Sequence, residues 1–345
     1  MQKSATDTLR GLACLLLVAF HVVGHTPATG LRLPLDHWAS LTNEWLSVLR
    51  MPLFSFLSGY VYALRPVDGL HRGFARGKVR RLLVPMLLVG TAFAVLQSFA
   101  PGSHEHVTDW RLLHVLPVAH FWFLEALFVI FILTALLEGF GMLRTPARFA
   151  AVAAVAVALH LSAPVPVHFG LEGATYLFPF FLLGLAALRF QRALERPVVL
   201  HAAGVALVGI ALTWGGEGPI SLPDPLAPQV LVSSLCLCVL MFRWRPAVRW
   251  LAWIGRFSFG IYLFHAFFAA VARLVLGHLG AHSLVLLFAA GLSAGIGGAI
   301  LLTAVLRRVP AGHWVIGERA PARRVEARRG THEGEAIVPA GTAPS

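Results

Sequence analysis

Charge is what this chain has least of. Only 13% of its 345 residues are Asp, Glu, Lys or Arg, against 57% hydrophobic. Soluble domains keep about a quarter of their residues charged, so the composition excludes a soluble core and points to a polytopic membrane protein. Acidic residues are scarcest, 16 against 28 Lys and Arg, for a formal charge of +12. That excess does not imply nucleic-acid binding, because the basic residues fall in short clusters between apolar runs, as the orientation rule for membrane proteins places them. Cysteine is limited to Cys14, Cys236 and Cys238, all in apolar segments, which argues against a disulfide framework or a zinc site. Cys236 and Cys238 face opposite sides of a helix and read as small packing residues. No internal repeat is visible, which counts against the many secondary transporters built from paired repeats. A cleavable signal peptide is also lacking: the first apolar run holds Arg10 and His21 and reads as an uncleaved signal anchor.

What is present is a series of apolar runs of about the twenty residues a membrane helix needs. Ten can be read, at 9–28, 44–64, 82–100, 119–137, 147–163, 173–189, 198–214, 226–242, 257–276 and 283–306. With the N-terminus inside, every Lys and Arg except Arg32, Arg50, Arg111 and Arg273 falls on the inner side. That asymmetry sets the orientation and supports an even number of spans. The expectation is an all-α bundle of ten transmembrane helices over residues 1–306, both termini cytoplasmic, in the inner (plasma) membrane. Residues 307–345, rich in Arg, Gly, Ala, Pro and Glu, read as a disordered cytoplasmic tail. The longest outer loop, 101–118, carries His104, Glu105, His106, Asp109, Arg111 and His114. A His-x-His pair could bind a metal, but nothing fixes its geometry, and no metal or permanently bound cofactor is expected.

The most informative pairing lies in the first run, where Arg10 precedes His21 by eleven positions. At 3.6 residues per turn, that offset returns to within about 20° of the same face, roughly 16 Å further along the axis. Arg10 then sits at the inner interface and His21 near mid-membrane, where an ionisable side chain is a functional hypothesis. Asp7 can pair with Arg10 three positions on. A neutral imidazole in a desolvated pocket can take a proton from a hydroxyl or be acylated itself, and both routes suit acyl transfer.

An Arg, ten residues and a His in the first helix resembles the acyltransferase family 3 membrane proteins. Further matches follow in the family's order. Met51-Pro52-Leu53-Phe54-Ser55-Phe56-Leu57-Ser58-Gly59-Tyr60 is similar to its M-P-L-F-F-F-x-S-G-Y segment, and Lys78-Val79-Arg80-Arg81-Leu82-Leu83-Val84-Pro85 to the basic start of its third helix. Phe121-Trp122-Phe123-Leu124 matches its W-F-L segment, and Ser258-Phe259-Gly260-Ile261-Tyr262-Leu263-Phe264-His265 its late S-x-x-I-Y-L-x-H. The resemblance implies an integral-membrane O-acyltransferase that moves a short acyl group, acetyl first, from cytoplasmic acyl-coenzyme A to a hydroxyl. The implied acceptors are a surface glycan, a lipid-linked sugar or a secreted metabolite.

The residues read as follows. Ser58, Gly59 and Tyr60 carry no strong titratable group and are a close helix contact with polar glue. Arg50, where many relatives are expected to have His, sits at the outer end of its helix and can snorkel to the interface. Arg72, Arg76, Lys78, Arg80 and Arg81 lie on the inner side; Lys78, Arg80 and Arg81, with Arg10, are candidates to bind the donor's phosphates, although topology alone would also place positive charge there. Glu125, about two turns into the fourth run, must find a partner or a proton. It could pair with Arg50, orient an acceptor or polarise a histidine. His120, just before it, reads as an interfacial, solvated residue. Ser258, Tyr262 and His265 share a helix face, with His265 near the depth of His21. His21, Arg10, Glu125 and His265 are therefore the catalytic candidates, and Lys78, Arg80, Arg81 and Tyr262 the donor-binding ones. The competing classes are a proton-coupled transporter, with the same His and Glu as its relay, and an assembly scaffold indifferent to His21.

Overall fold

Leucine, alanine and valine fill the first run without a proline, so it propagates as a helix until Gly24. There the backbone turns left-handed (φ 91°), and the Gly24 N–H caps the Phe20 carbonyl at 2.8 Å. Glycine is suited to that closing position because it has no Cβ to oppose the turn. The computed structural model describes residues 2–99, 107, 109–162, 165–214 and 224–319. His104, Glu105 and His106 and the tail beyond 319 therefore lie outside the described residues.

Each apolar run is met by a helix: α1 Gln2–Val23, α2 Ser47–Ala63, α3 Arg72–Phe99, α4 Trp122–Gly139, α5 Pro146–Leu161, α6 Leu171–Arg189, α7 Pro197–Trp214, α8 Pro228–Trp244, α9 Ser258–His278 and α10 Leu284–Leu306. Among the described residues there is no strand, only an isolated bridge between Leu113 and Leu116. Six helices (α1, α3, α4, α6, α9 and α10) are long and apolar enough to cross a membrane unaided. A seventh crossing is available if α8 and the short helix Arg249–Gly255, bent by 119°, are one broken span. The side chains that α7 turns outward, Val198, Val205, Val208 and Leu212, are 60–74% exposed, as expected of a helix edge facing lipid rather than water.

Small residues bring the backbones together, as in membrane bundles generally. A Cβ on Gly59 of α2 would stand 1.9 Å from the Phe181 carbonyl oxygen of α6, and one on Gly184 of α6 the same distance from the Phe56 carbonyl. Ser55 adds a hydroxyl bond to the Leu177 carbonyl at 2.9 Å. The Ser58-Gly59-Tyr60 segment is thus a helix contact. A second contact of this kind seats α1. Gly11 lies against the Leu251 carbonyl and Gly255 against the Asp7 carbonyl, where a Cβ would stand 2.0 and 1.9 Å away. From that seat α1 runs against α2, α9 and α10.

The ordered chain also continues beyond 306. A short helix, Gly312–Val315, follows α10, Ile316 is buried, and Arg307 forks onto Glu318 at 2.7 and 3.1 Å. Gly317, at φ 62°, fits against the Arg81 backbone, where a Cβ would meet the carbonyl oxygen at 2.8 Å.

Candidate active site

Three histidines from three separated segments meet beside α1. The His21 ring centre is 4.9 Å from that of His265 and 5.4 Å from that of His120, and His120 and His265 are 4.8 Å apart. One nitrogen from each ring lies within 4.8 Å of the others. His265 comes from α9 and is wholly buried; its Nδ1 donates to the carbonyls of Ile261 (2.8 Å) and Tyr262 (3.0 Å). That leaves Nε2 as a bare acceptor, and it has no partner. His21 and His265 thus come together as their depths along the two helices suggest.

The interfacial reading of His120 is overturned: the residue is 6% exposed and its Nε2 also lacks a partner. The cause is local backbone shape. Ala119 is left-handed at φ 43° and opens a tight helical turn, Ala119–Phe121, ahead of α4. This turn tucks the His120 ring against Phe121 (centroids 4.2 Å) and the edge of Phe93 (5.6 Å). Tyr262 holds the same turn from the other side, donating its hydroxyl to the His120 carbonyl. Tyr262, read as a donor-binding candidate, instead stands in the histidine cluster and away from the basic end of the molecule. No periodicity exposes His120 in the sequence; the available signal was a histidine beside an aromatic Phe-Trp-Phe run.

Above the cluster lies a cavity of about 450 Å³. His21, His120, Phe20, Phe93, Trp122 and Arg273 are among the residues that line it. Arg273 donates from Nη1 to the Gly30 carbonyl at 2.8 Å, tying down the loop that follows α1.

At the other end of α1, Arg10 reaches Asp7 through a 3.4 Å contact. Arg81 stands close enough for its charge to act on both Arg10 and Lys78. Lys78 covers the face of Phe131, 3.2 Å from the ring centre. A π-helical turn, Val79–Leu83, carries Arg80 and Arg81. Neighbouring positions on such a turn diverge by about a quarter of a revolution, so the two side chains leave the helix on different sides. Arg10, Lys78 and Arg81 act on one another as one group, and Arg80 leaves the helix about a quarter turn from Arg81.

Two expectations do not meet the cluster. Glu125 is 4% exposed and neither carboxylate oxygen has a partner. It lies near Tyr262 and packs under Gly170, with no hydrogen bond or ion pair to a histidine or to Arg50 among the described residues. Arg50 does not snorkel. It is 5% exposed and lays its guanidinium 3.6 Å over the face of Phe20, a site that a flat, weakly hydrated cation tolerates.

With this geometry in hand, the comparisons with known proteins give a consistent result. The sequence model described as an acyltransferase domain, that of acyltransferase family 3, matches residues 4–304. A Bacillus subtilis (strain 168) protein, YfiQ, described as a membrane-bound acyltransferase, is 22% identical over 308 residues, covering 80% of this chain and 83% of that one. The nodulation protein NolL of Mesorhizobium japonicum (strain LMG 29417 / CECT 9101 / MAFF 303099) is 28% identical over 182 residues, 52% of this chain and 46% of its own length. No solved structure matches.

Proposed function

Because the chain belongs to acyltransferase family 3, a membrane-bound acyltransferase family, we propose that it transfers a short acyl group, acetyl first, from cytoplasmic acyl-coenzyme A to a hydroxyl of a glycan or glycosylated acceptor. The distribution of basic residues supports cytoplasmic termini, and the plasma membrane is part of the same proposal. The observation that carries the reading is the bipolar surrounding of α1: a cationic group at one end, and at the other a histidine cluster under a cavity.

Each part has a task. Arg10, Lys78 and Arg81 supply positive charge and fork-shaped donors suited to the phosphates of coenzyme A, and their position on the inner side suits a cytoplasmic donor. His21 stands about 16 Å further along the helix, a distance the extended pantetheine arm of the donor can span. There its imidazole serves as general base on the acceptor hydroxyl or takes the acyl group itself. His265, anchored through Nδ1 and with an unpartnered Nε2, has its ring centre 4.9 Å from that of His21 and is placed to exchange a proton with that ring. The cavity walls of Phe20, Phe93 and Trp122 offer flat apolar faces to a sugar ring, and Arg273 one cation.

The test is acyl-coenzyme A turnover by the purified, detergent-solubilised chain, with a mixed pool of envelope glycans as acceptors. His21→Ala, confirmed folded by its elution and melting profile, should lower turnover by about 10²–10⁴-fold. Equal turnover in both proteins would remove His21 from the chemistry. Substrate flux through reconstituted vesicles without release of coenzyme A would replace the reading with transport.

A further inference from the structure

The three imidazoles of the cluster are not equivalent, and their differences divide the labour. His265 is sealed below the cavity, with Nδ1 committed to two backbone carbonyls. It can exchange a proton with His21 but cannot reach an acceptor. His21 touches both the cavity and the other two rings. His120 also lines the cavity; its backbone is held by Tyr262 and its ring by Phe121 and Phe93, leaving Nε2 as its one uncommitted group. A buried polar atom without a partner is costly, and this one belongs to a ring that lines the cavity.

We infer that His120 is the base that deprotonates the acceptor hydroxyl, and that His21 carries the acyl group between donor and acceptor. The inference rests on the acyltransferase reading and chooses between the two roles that reading allows His21. Once acylated, His21 has no lone pair on the reacting nitrogen and cannot itself serve the acceptor. A carrier mechanism therefore needs a second base on the cavity side, and His120 stands there, 5.4 Å from His21 between ring centres.

The steps balance without another reagent. A His21 nitrogen attacks the thioester carbonyl and the C–S bond breaks. The other His21 nitrogen sheds its proton to His265 Nε2, so that a neutral acyl-imidazole remains, and coenzyme A leaves as the thiolate. The acceptor oxygen then attacks the acyl carbon while its proton moves to His120 Nε2. The C–N bond breaks, its electron pair returns to His21, and His265 gives its proton back to the His21 nitrogen it came from. His120 releases its proton to water, from which the thiolate takes one, and all three histidines end as they began.

The experiment uses the full chain and acetyl-coenzyme A labelled in the acetyl group, with rapid gel filtration at neutral pH to isolate labelled protein. Discharge is followed into water, a weak nucleophile that needs a base, and into hydroxylamine, which attacks acyl-imidazoles without one. Wild type should label, and His120→Gln should label to the same extent. The variant should then lose its label to water about 10²-fold more slowly or worse, yet discharge into hydroxylamine at the wild-type rate. His120→Asn should behave alike, whereas His265→Gln should slow labelling itself. Discharge of His120→Gln into water at the wild-type rate would overturn the assignment, as would failure of the folded variant to label. Release of coenzyme A by wild type without any label on the protein would return His21 to the role of base and also overturn it. A wild type that neither labels nor releases coenzyme A would bring down the acyltransferase reading on which the inference stands.

Discussion

The two ends of α1 are built on different principles. The basic end gathers pairs close in sequence: Asp7 and Arg10 lie about one turn apart on α1, and Lys78 and Arg81 lie three apart on α3. It is partly open, with Arg10 about one-third exposed, and works by summed charge, so losing one member leaves the others in place. The histidine end gathers one residue each from three distant segments beside a cavity, where Nε2 of both His120 and His265 goes unpartnered. An electrostatic site tolerates drift, because Coulomb attraction falls off slowly with distance. A proton-transfer site does not, because it depends on hydrogen-bond reach.

That contrast predicts graded failures. The largest effect should come from His21→Ala, which should act on kcat with little change in KM for the donor, since the phosphates bind at the other end. A KM effect of equal size would merge the two ends into one site. Next in scale is Gly11→Leu. Its side chain would drive into the Leu251 backbone, where even a Cβ stands at 2.0 Å. The cost should reach the upper end of the roughly 1–3 kcal/mol of ordinary overpacking or exceed it, disturbing both ends together. A thermal shift measurement in detergent checks it, and an unchanged melting temperature would mean that α1 is not seated by that contact.

Arg10→Gln and Arg81→Gln should each raise KM for acyl-coenzyme A about tenfold, the worth of one charge-assisted contact of roughly 1.5 kcal/mol, and leave kcat near wild type. The penalty should shrink as salt rises, and a donor stripped of its phosphates should show none. Arg80→Gln, on a different side of the helix, should change KM by less. The smallest effect belongs to Tyr262→Phe, which removes the hydroxyl bond to the His120 carbonyl but keeps the ring. A loss of about 1 kcal/mol of positioning, a few-fold in kcat with KM unchanged, is expected; a rise in donor KM would restore Tyr262 to the donor site.

Much of the molecule was legible in the sequence because the solvent imposes it. A bilayer demands runs of about twenty apolar residues with internally satisfied backbones, so composition and hydropathy alone located a helix at every apolar run. The eleven-residue offset placed Arg10 and His21 on one face of one helix, about 16 Å apart, for the same reason: within a single α-helix, spacing is geometry. Glycine and serine in the second run marked the tight α2–α6 contact, since only small residues let backbones approach that closely.

Tertiary structure alone decided the rest. Whether Glu125 meets Arg50 or a histidine depends on how α4 is rotated, and the answer is neither. Whether Arg50 reaches water or an aromatic face depends on Phe20 lying beside it. Above all, His120 owes its place to a left-handed alanine and a short turn that break the helical period just before α4. Hydropathy patterns record which side of an element faces apolar surroundings. They carry no information on which elements become neighbours or where an irregular turn aims a side chain, because those are settled by packing among distant parts of the chain.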